Sequence, residues 1–324
     1  MFRIGTYRWQ INQNAGVKLE EISSSIYEVL TAYVPREDVF RGEPMCRHTT
    51  FRVGGEAQCF MRISNREQLF RVIPYLQKVE IPFFILGNGS NLLVGDKGYQ
   101  GVILQIGDKM NQISVQEDLI IAQAGALLSQ VSKAAMEHGL TGLEFASGIP
   151  GTMGGSVVMN AGAYGGEMEQ VVEQVTVLDK NGEVLELSRG DMEFGYRTSV
   201  IKNRPFIVLE VQLRLKAGAR EEIALKMKEL SGKRKEKQPL EYASAGSTFK
   251  RPEGYFAGKL IMDAGLRGYS IGGAKVSEKH CGFVINTGKA TAADVAEVIQ
   301  EVQDRVYDKF GVSLEPEVIF LGDF

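Results

Sequence analysis

Apolar positions recur along the chain in two registers, and together they predict a mixed architecture of helices and strands. Leu19, Ile22, Ile26, Val29 and Leu30 fall at helical spacing, and residues 127–138 form a second helical stretch that stops at Gly139. Further helices are expected over the charged stretch 221–235, over 256–264 and over 291–310. Alternation at Ala57, Cys59, Met61 and Ile63 predicts a half-buried strand. Ser64 with Glu67 then reads as a capping box opening a helix to about residue 77, with a kink expected at Pro74. Short apolar runs at 83–86, 102–106 and 119–122 predict strands, and the runs 175–178 and 184–187 flank Asn181-Gly182, a hairpin signal. Strands are also expected at 206–215, 283–285 and 318–321. The first 17 residues are polar and unpatterned and read as an extension. No repeat of 20–50 residues interrupts this order, which is that of an α+β protein.

Composition narrows the picture. At 324 residues the chain is long enough for two or three domains with their own cores. Net charge is −3, and the one dense basic run lies between Lys233 and Lys237, so nucleic acid is not expected as a partner. No apolar run approaches the length of a membrane span, and the N-terminus has neither the apolar core nor the cleavage site of a secretory signal. Cys46, Cys59 and Cys281 are odd in number and far apart, as are His48, His138 and His280. No disulfide framework and no metal site is expected, and reduced thiols suggest the cytoplasm.

The 37 glycines are the strongest compositional signal, because helix and strand interiors disfavour them. Gly87-Asn88-Gly89-Ser90-Asn91-Leu92 follows a strand but carries Leu92 where a dinucleotide fingerprint needs its third glycine, and no GxxxxGK[ST] occurs. A tight turn remains, either purely structural or with exposed amides that cradle a phosphate. Ser147-Gly148-Ile149-Pro150-Gly151-Thr152-Met153-Gly154-Gly155 bars Cβ atoms from one stretch of backbone, and residues 160–166 repeat the device. The whole glycine-rich stretch 142–166 is expected to hold no regular element. Arg197 alone reads as a surface arginine, Ser247 as part of a Gly-Ser turn, Glu317 as a solvated strand end and His280 as a satisfied histidine.

The order and wording of these segments change that reading. Thr49-Thr50-Phe51-Arg52-Val53-Gly54-Gly55, Leu86 through Val94, Gly142 through Gly151, Asn160 through Gly166, Tyr196-Arg197, Gly246-Ser247-Thr248-Phe249, Lys279-His280-Cys281-Gly282-Phe283 and Leu314-Glu315-Pro316-Glu317-Val318 resemble the UDP-N-acetylenolpyruvoylglucosamine reductase family. The resemblance runs from about residue 24 to residue 324. Each motif is weak alone, and eight in one order are specific.

The resemblance implies a two-subdomain FAD-binding fold of the vanillyl-alcohol-oxidase type plus a C-terminal α+β substrate-binding domain. The segments would be an extension (1–23), two FAD-binding subdomains (24–98 and 99–218) and a substrate-binding domain (219–324) whose terminal strand returns to the active site. FAD would be held non-covalently by Arg52, by Leu86, Gly87, Asn88, Gly89, Ser90, Asn91 and Leu92, and by Ala124 and Gly125. Ser147, Gly148, Ile149, Pro150, Gly151, Thr152, Gly154, Gly155 and Gly162 would complete its site. Arg197, Ser247 and Glu317 match the catalytic trio, and Tyr164, Arg197, Lys237, Arg251 and His280 match substrate-contacting positions. The implied partners are a UDP-sugar and NADPH, the implied form a monomer, and the implied role a step in peptidoglycan precursor synthesis.

The implied chemistry explains the trio. Reducing an enolpyruvyl ether places a hydride on the β-carbon and a proton on the α-carbon, while negative charge builds on the carboxylate. A guanidinium at Arg197 would stabilise that charge, Glu317 would orient or protonate the carboxylate region, and Ser247 would give the proton. The interval from Arg197 to Ser247 is too short for the tyrosine-bearing flap of one branch of the family, so the chain resembles the flapless branch. Thr248 stands where many relatives carry an apolar or aromatic residue and is expected to matter little. The alternative is a flavin-dependent oxidase on the same fold. Such enzymes often attach flavin to His or Cys, and His48 is the histidine near the first FAD motif. A nucleotide-sugar-binding protein without catalysis is the reading from another class.

Overall fold

The computed structural model describes residues 22–324. Leu19 and residues 1–17 lie outside the described residues. The expected first helix is seen over Ser24–Tyr33, capped by the Ser23 hydroxyl, which accepts from the Ile26 amide.

Three sheets of three or more strands, three two-stranded pairings and the covering helices make up the rest of the described residues. The first has the order Val39–Pro44, Glu56–Ile63, Tyr99–Ile106, Phe83–Leu86, antiparallel at the first pairing and parallel at the other two. Because it is covered on both faces, Glu56–Ile63 buries five of its eight residues rather than alternating strictly. The second sheet is antiparallel, in the order Val184–Ser188, Val172–Leu178, Ile207–Arg214, Leu119–Gln123, Ile113–Gln116. The Asn181-Gly182 hairpin forms as expected, with Leu178 opposite Val184 and Gly182 at φ +83°. One core runs through the first sheet's helix-covered face and the second sheet. A separate core joins the three short strands Ser270–Ile271, Ala274–Val276 and Val284–Asn286 to the helices Ala257–Asp263 and Ala292–Phe310.

The last helix shows both of its ends in the sequence. Thr291 and Asp294 form the reciprocal cap, and Gly311 closes the helix in the left-handed region at φ +67°. After it the strand Ile319–Leu321 pairs in parallel with Leu92–Val94, so the chain returns to the start of the molecule. The long polar helix Arg220–Lys237 connects the second sheet to the C-terminal part.

Three sequence expectations change. The helix Arg66–Lys78 is capped by Asn65, which accepts from Gln68, while Gln68 reaches back to the Ser64 amide. The box is thus one residue later than Ser64 and Glu67, because Asn65 is the better placed acceptor. The glycine-rich stretch is not devoid of structure: Met153–Val158 is a short helix capped by Thr152. Its glycines are packing residues, since a Cβ on Gly154 would stand 3.0 Å from that of Ala124. Finally, Thr248 is fully buried and its hydroxyl accepts from the Val284 amide at 2.9 Å, so it fixes the Ser247 turn to the third sheet. An apolar residue there would leave that amide without its acceptor.

Candidate active site

The site is a cleft where the two cores meet, enclosing about 340 Å³, within the range of cofactor sites. One wall is main chain. The turn 87–91 leaves the strand Phe83–Leu86, and among the described residues no acceptor is found for the amides of Asn88, Gly89, Ser90 and Asn91. Four consecutive free amides make an anion-binding concavity. The conformation depends on Gly89, at φ +61°, where a Cβ would fall 1.9 Å from the His48 carbonyl oxygen. Asn88 ties this turn to the second loop by donating to the Pro150 carbonyl at 3.2 Å. Gly87 admits Thr152 so closely that a Cβ there would meet its hydroxyl at 2.5 Å.

Most residues expected at the cofactor lie on this cleft. Leu86 through Leu92, Ala124, Ile149, Pro150, Gly151, Thr152, Gly154, Gly155 and Gly162 all line it. Arg52, Gly125, Ser147 and Gly148 do not. Arg52 is exposed at φ +56° on the turn whose Thr50 amide donates to the Gly89 carbonyl, so that turn braces the cradle from outside. Gly125 packs against the Gly107 carbonyl, and the Ser147 hydroxyl donates to the carbonyl of Glu144. Gly148 touches the side chain of Arg234.

A second part of the lining is charged. Arg197 occupies the second position of a two-residue turn in which Gly195 and Thr198 exchange amide hydrogen bonds. Its Nε lies 2.9 Å from Oε1 of Glu317, an ion pair by distance whose N–H is not aligned for a hydrogen bond, and its Nη2 donates to the Gly162 carbonyl. Glu317 is 14% exposed rather than solvated. Burial raises its pKa above the ordinary carboxylate range, against the opposing pull of Arg197, Lys202 and Lys250. Ser247 lines the same cleft, and it is brought to Glu317 by backbone: the Glu317 amide donates to the Thr248 carbonyl at 2.8 Å, and Phe249 bridges Pro316. Residues 197, 247 and 317 are thereby assembled on one wall.

The expected substrate positions are more peripheral. Tyr164, Lys237 and Arg251 are exposed and His280 is half-buried, and none of the four lines the cleft. Arg251 stacks on Phe256 with its guanidinium carbon 3.9 Å from the ring centroid, and its amide donates to the Tyr196 hydroxyl. His280 packs edge-on against Phe283, a cleft residue, and burial lowers its pKa from the ordinary imidazole value. Its Nδ1 accepts from the Gly282 amide, which puts the ring proton on Nε2.

Two residues were missed in the sequence. Arg234 and Gln238, at the end of the helix Arg220–Lys237, both line the cleft. Gln238 Oε1 is buried without a hydrogen-bond partner, and Arg234 is a largely buried cation whose pKa desolvation lowers. Arg234 belongs to the basic run 233–237, which reads as a solvated face because the helix has no apolar stripe to say which side turns inward.

A cleft with free amides, a half-buried cation, an unpaired buried acceptor and apolar lining residues fits a flavin dinucleotide, whose phosphates call for amides and cations and whose ring and ribityl donors call for acceptors. Among the described residues, no cysteine or histidine lines the cleft. His48, the residue relevant to an oxidase, is turned away, with Nε2 on Glu43 at 2.9 Å and its ring stacked on Phe60.

Fold and cleft together define a flavoprotein oxidoreductase. Residues 57–188 match the model of an FAD-binding domain, and residues 238–321 match the C-terminal domain of UDP-N-acetylenolpyruvoylglucosamine reductase. Enzymes of that name from Caldanaerobacter subterraneus (56% identical, 88% of this chain and 94% of the relative) and Agathobacter rectalis (49% identical, 94% and 100%) are similar over nearly their whole length. So is the crystal structure of the Thermus caldophilus enzyme, with a TM-score of 0.76 at 35% identity over 88% of this chain and 98% of that one. The chain belongs to the UDP-N-acetylenolpyruvoylglucosamine reductase family, and FAD is its cofactor.

Proposed function

We propose that the chain reduces UDP-N-acetylglucosamine enolpyruvate to UDP-N-acetylmuramate with electrons from NADPH, as a monomer in the cytoplasm, and that Arg197, Ser247 and Glu317 carry the reduction. The Arg197–Glu317 pair supports this most directly: a half-buried guanidinium and a carboxylate of raised pKa line the same cleft as a serine and the amide cradle. We also read residues 24–98, 99–218 and 219–324 as the three units that meet at this cleft.

Bound FAD supplies the hydride for the β-carbon of the enolpyruvyl group. The chain's own residues do the rest. The amides of residues 88–91, with Arg234, would hold the cofactor's phosphates. Arg197 takes the substrate carboxylate and stabilises the charge that develops there, an effect worth about 3–4 kcal/mol for comparable donors in a dry site. Glu317 orients that guanidinium, and in its protonated form it donates a hydrogen bond to the carboxylate. The Ser247 hydroxyl delivers the proton to the α-carbon, which is feasible because the acceptor is a strongly basic enediolate-like centre. With no flap between residues 197 and 247, the exposed Tyr164 and the Arg251–Phe256 stack are the groups placed to cover the sugar nucleotide.

The test is anaerobic. NADPH should bleach the yellow protein, and UDP-N-acetylglucosamine enolpyruvate should then restore the colour, with parallel double-reciprocal lines at steady state. A reduced protein that reoxidises only in oxygen would instead favour the oxidase.

A further inference from the structure

Lys202 sits next to the catalytic wall and has no place in the mechanism above. It lies on the one-turn helix Val200–Asn203, anchored by the Ser199 hydroxyl, which donates to the Val158 carbonyl at 2.9 Å. Its half-buried ammonium donates to the carbonyl of Arg197 at 3.1 Å. Arg197 needs such a hold, because its φ of +56° is one that side-chain-bearing residues rarely adopt unless their surroundings impose it. The turn is gripped on its other side too, where the buried Asn160 amide donates to the Gly195 carbonyl at 3.2 Å.

Lys202 also faces the carboxylates. Its charge acts on Glu317 and Glu315, and Lys250, which pairs with Glu315 at 2.5 Å, opposes it. Glu317 in turn is faced by Arg197, Lys202 and Lys250. One ammonium thus touches the backbone of one catalytic residue and the field of another.

We propose that Lys202 is a positioning residue for the reduction: it pins the Arg197 carbonyl while its charge faces Glu317, so that guanidinium and carboxylate are presented together to the substrate carboxylate. The inference rests on the roles given above to Arg197 and Glu317.

Three variants of the FAD-loaded full chain test it. Lys202→Met should keep its flavin and its melting temperature within a few degrees, while reoxidation by the enolpyruvyl sugar slows about ten- to a hundredfold, the scale of a small misplacement at a reacting group. The limb of the pH profile set by Glu317 should also move to higher pH, because a cation favouring the ionised carboxylate is gone. Lys202→Arg, which restores donor and charge, should recover most of the rate and the wild-type limb. Lys202→Gln, a donor without charge, should keep the rate within a few-fold yet displace the limb as Met does.

A Met variant with wild-type reoxidation and an unmoved limb overturns the proposal. So does a slow Met variant whose limb is unmoved and whose defect Arg does not repair, since that pattern is loss of packing alone. Wild-type protein that the enolpyruvyl sugar fails to reoxidise removes the reaction itself, and that failure is visible without any Lys202 variant.

Discussion

The two walls of the cleft are built in opposite ways. The cofactor wall is mostly main chain: the amides of residues 88–91 lie next to one another in the chain, Arg234 adds one cation from the helix Arg220–Lys237, and the glycines matter by what they lack. The wall proposed as catalytic is assembled from positions 197, 247 and 317, far apart in the chain, and it offers a guanidinium, a hydroxyl and a carboxyl group. A main-chain site tolerates changes of side chain but not an added Cβ at its tight points. A side-chain site tolerates backbone variation around it but not the loss of one functional group.

Substitutions on the two walls should therefore fail differently. The largest effect is expected for Ser247→Ala. Reoxidation by the enolpyruvyl sugar should fall by about 10²–10⁴-fold while bleaching by NADPH stays near wild type, as single-turnover traces would show. Were both half-reactions to stay fast, Ser247 would not be the acid. Arg197→Lys comes next. An ammonium cannot reproduce the planar fork, and a loss of about 10²–10³-fold in kcat with flavin retained is expected from steady-state kinetics.

On the other wall, Gly89→Ala should leave the catalytic residues intact and yet give protein with little or no bound flavin. The clash with the His48 carbonyl adds to a strained φ worth about 1–3 kcal/mol. Ser90→Ala, which keeps its amide, should hold flavin normally, and absorbance of the purified proteins separates the pair. The smallest effect concerns pH. Burial raises the folded-state pKa of Glu317, so what its protonated form contributes is complete at pH values below the ordinary carboxylate range and is lost as pH rises through the raised value. Glu317→Gln should flatten that part of the kcat/KM profile, and an unchanged limb would assign it to another group.

Much of the molecule was legible in the sequence because its signals are local. The Asn181-Gly182 hairpin, the helix Ala292–Phe310 and the turn 87–91 each depend on a few neighbouring residues. The helix Met153–Val158 was missed because glycine suppresses helix signals while allowing the close approach to Ala124 that stabilises it. The burial of Glu317 and Lys202 was illegible for a different reason. A carboxylate before a strand and a lysine after Val200-Ile201 carry no mark of burial until distant segments enclose them. Arg234 was hidden in a basic run on a helix polar all round, where periodicity cannot assign a buried side.

The parallel pairing of Ile319–Leu321 with Leu92–Val94 bears on how the protein is made. The Asn91 side chain donates to the Glu317 carbonyl across 226 positions of sequence, and the Gly95 amide donates to Leu321. During synthesis the edge of Leu92–Val94 must therefore stay uncovered until nearly the whole chain has emerged, and contacts that span so much sequence form slowly. Glu317 is therefore among the last side chains to be fixed in the cleft, after the segments that carry the amide turn and the glycine loops have been made.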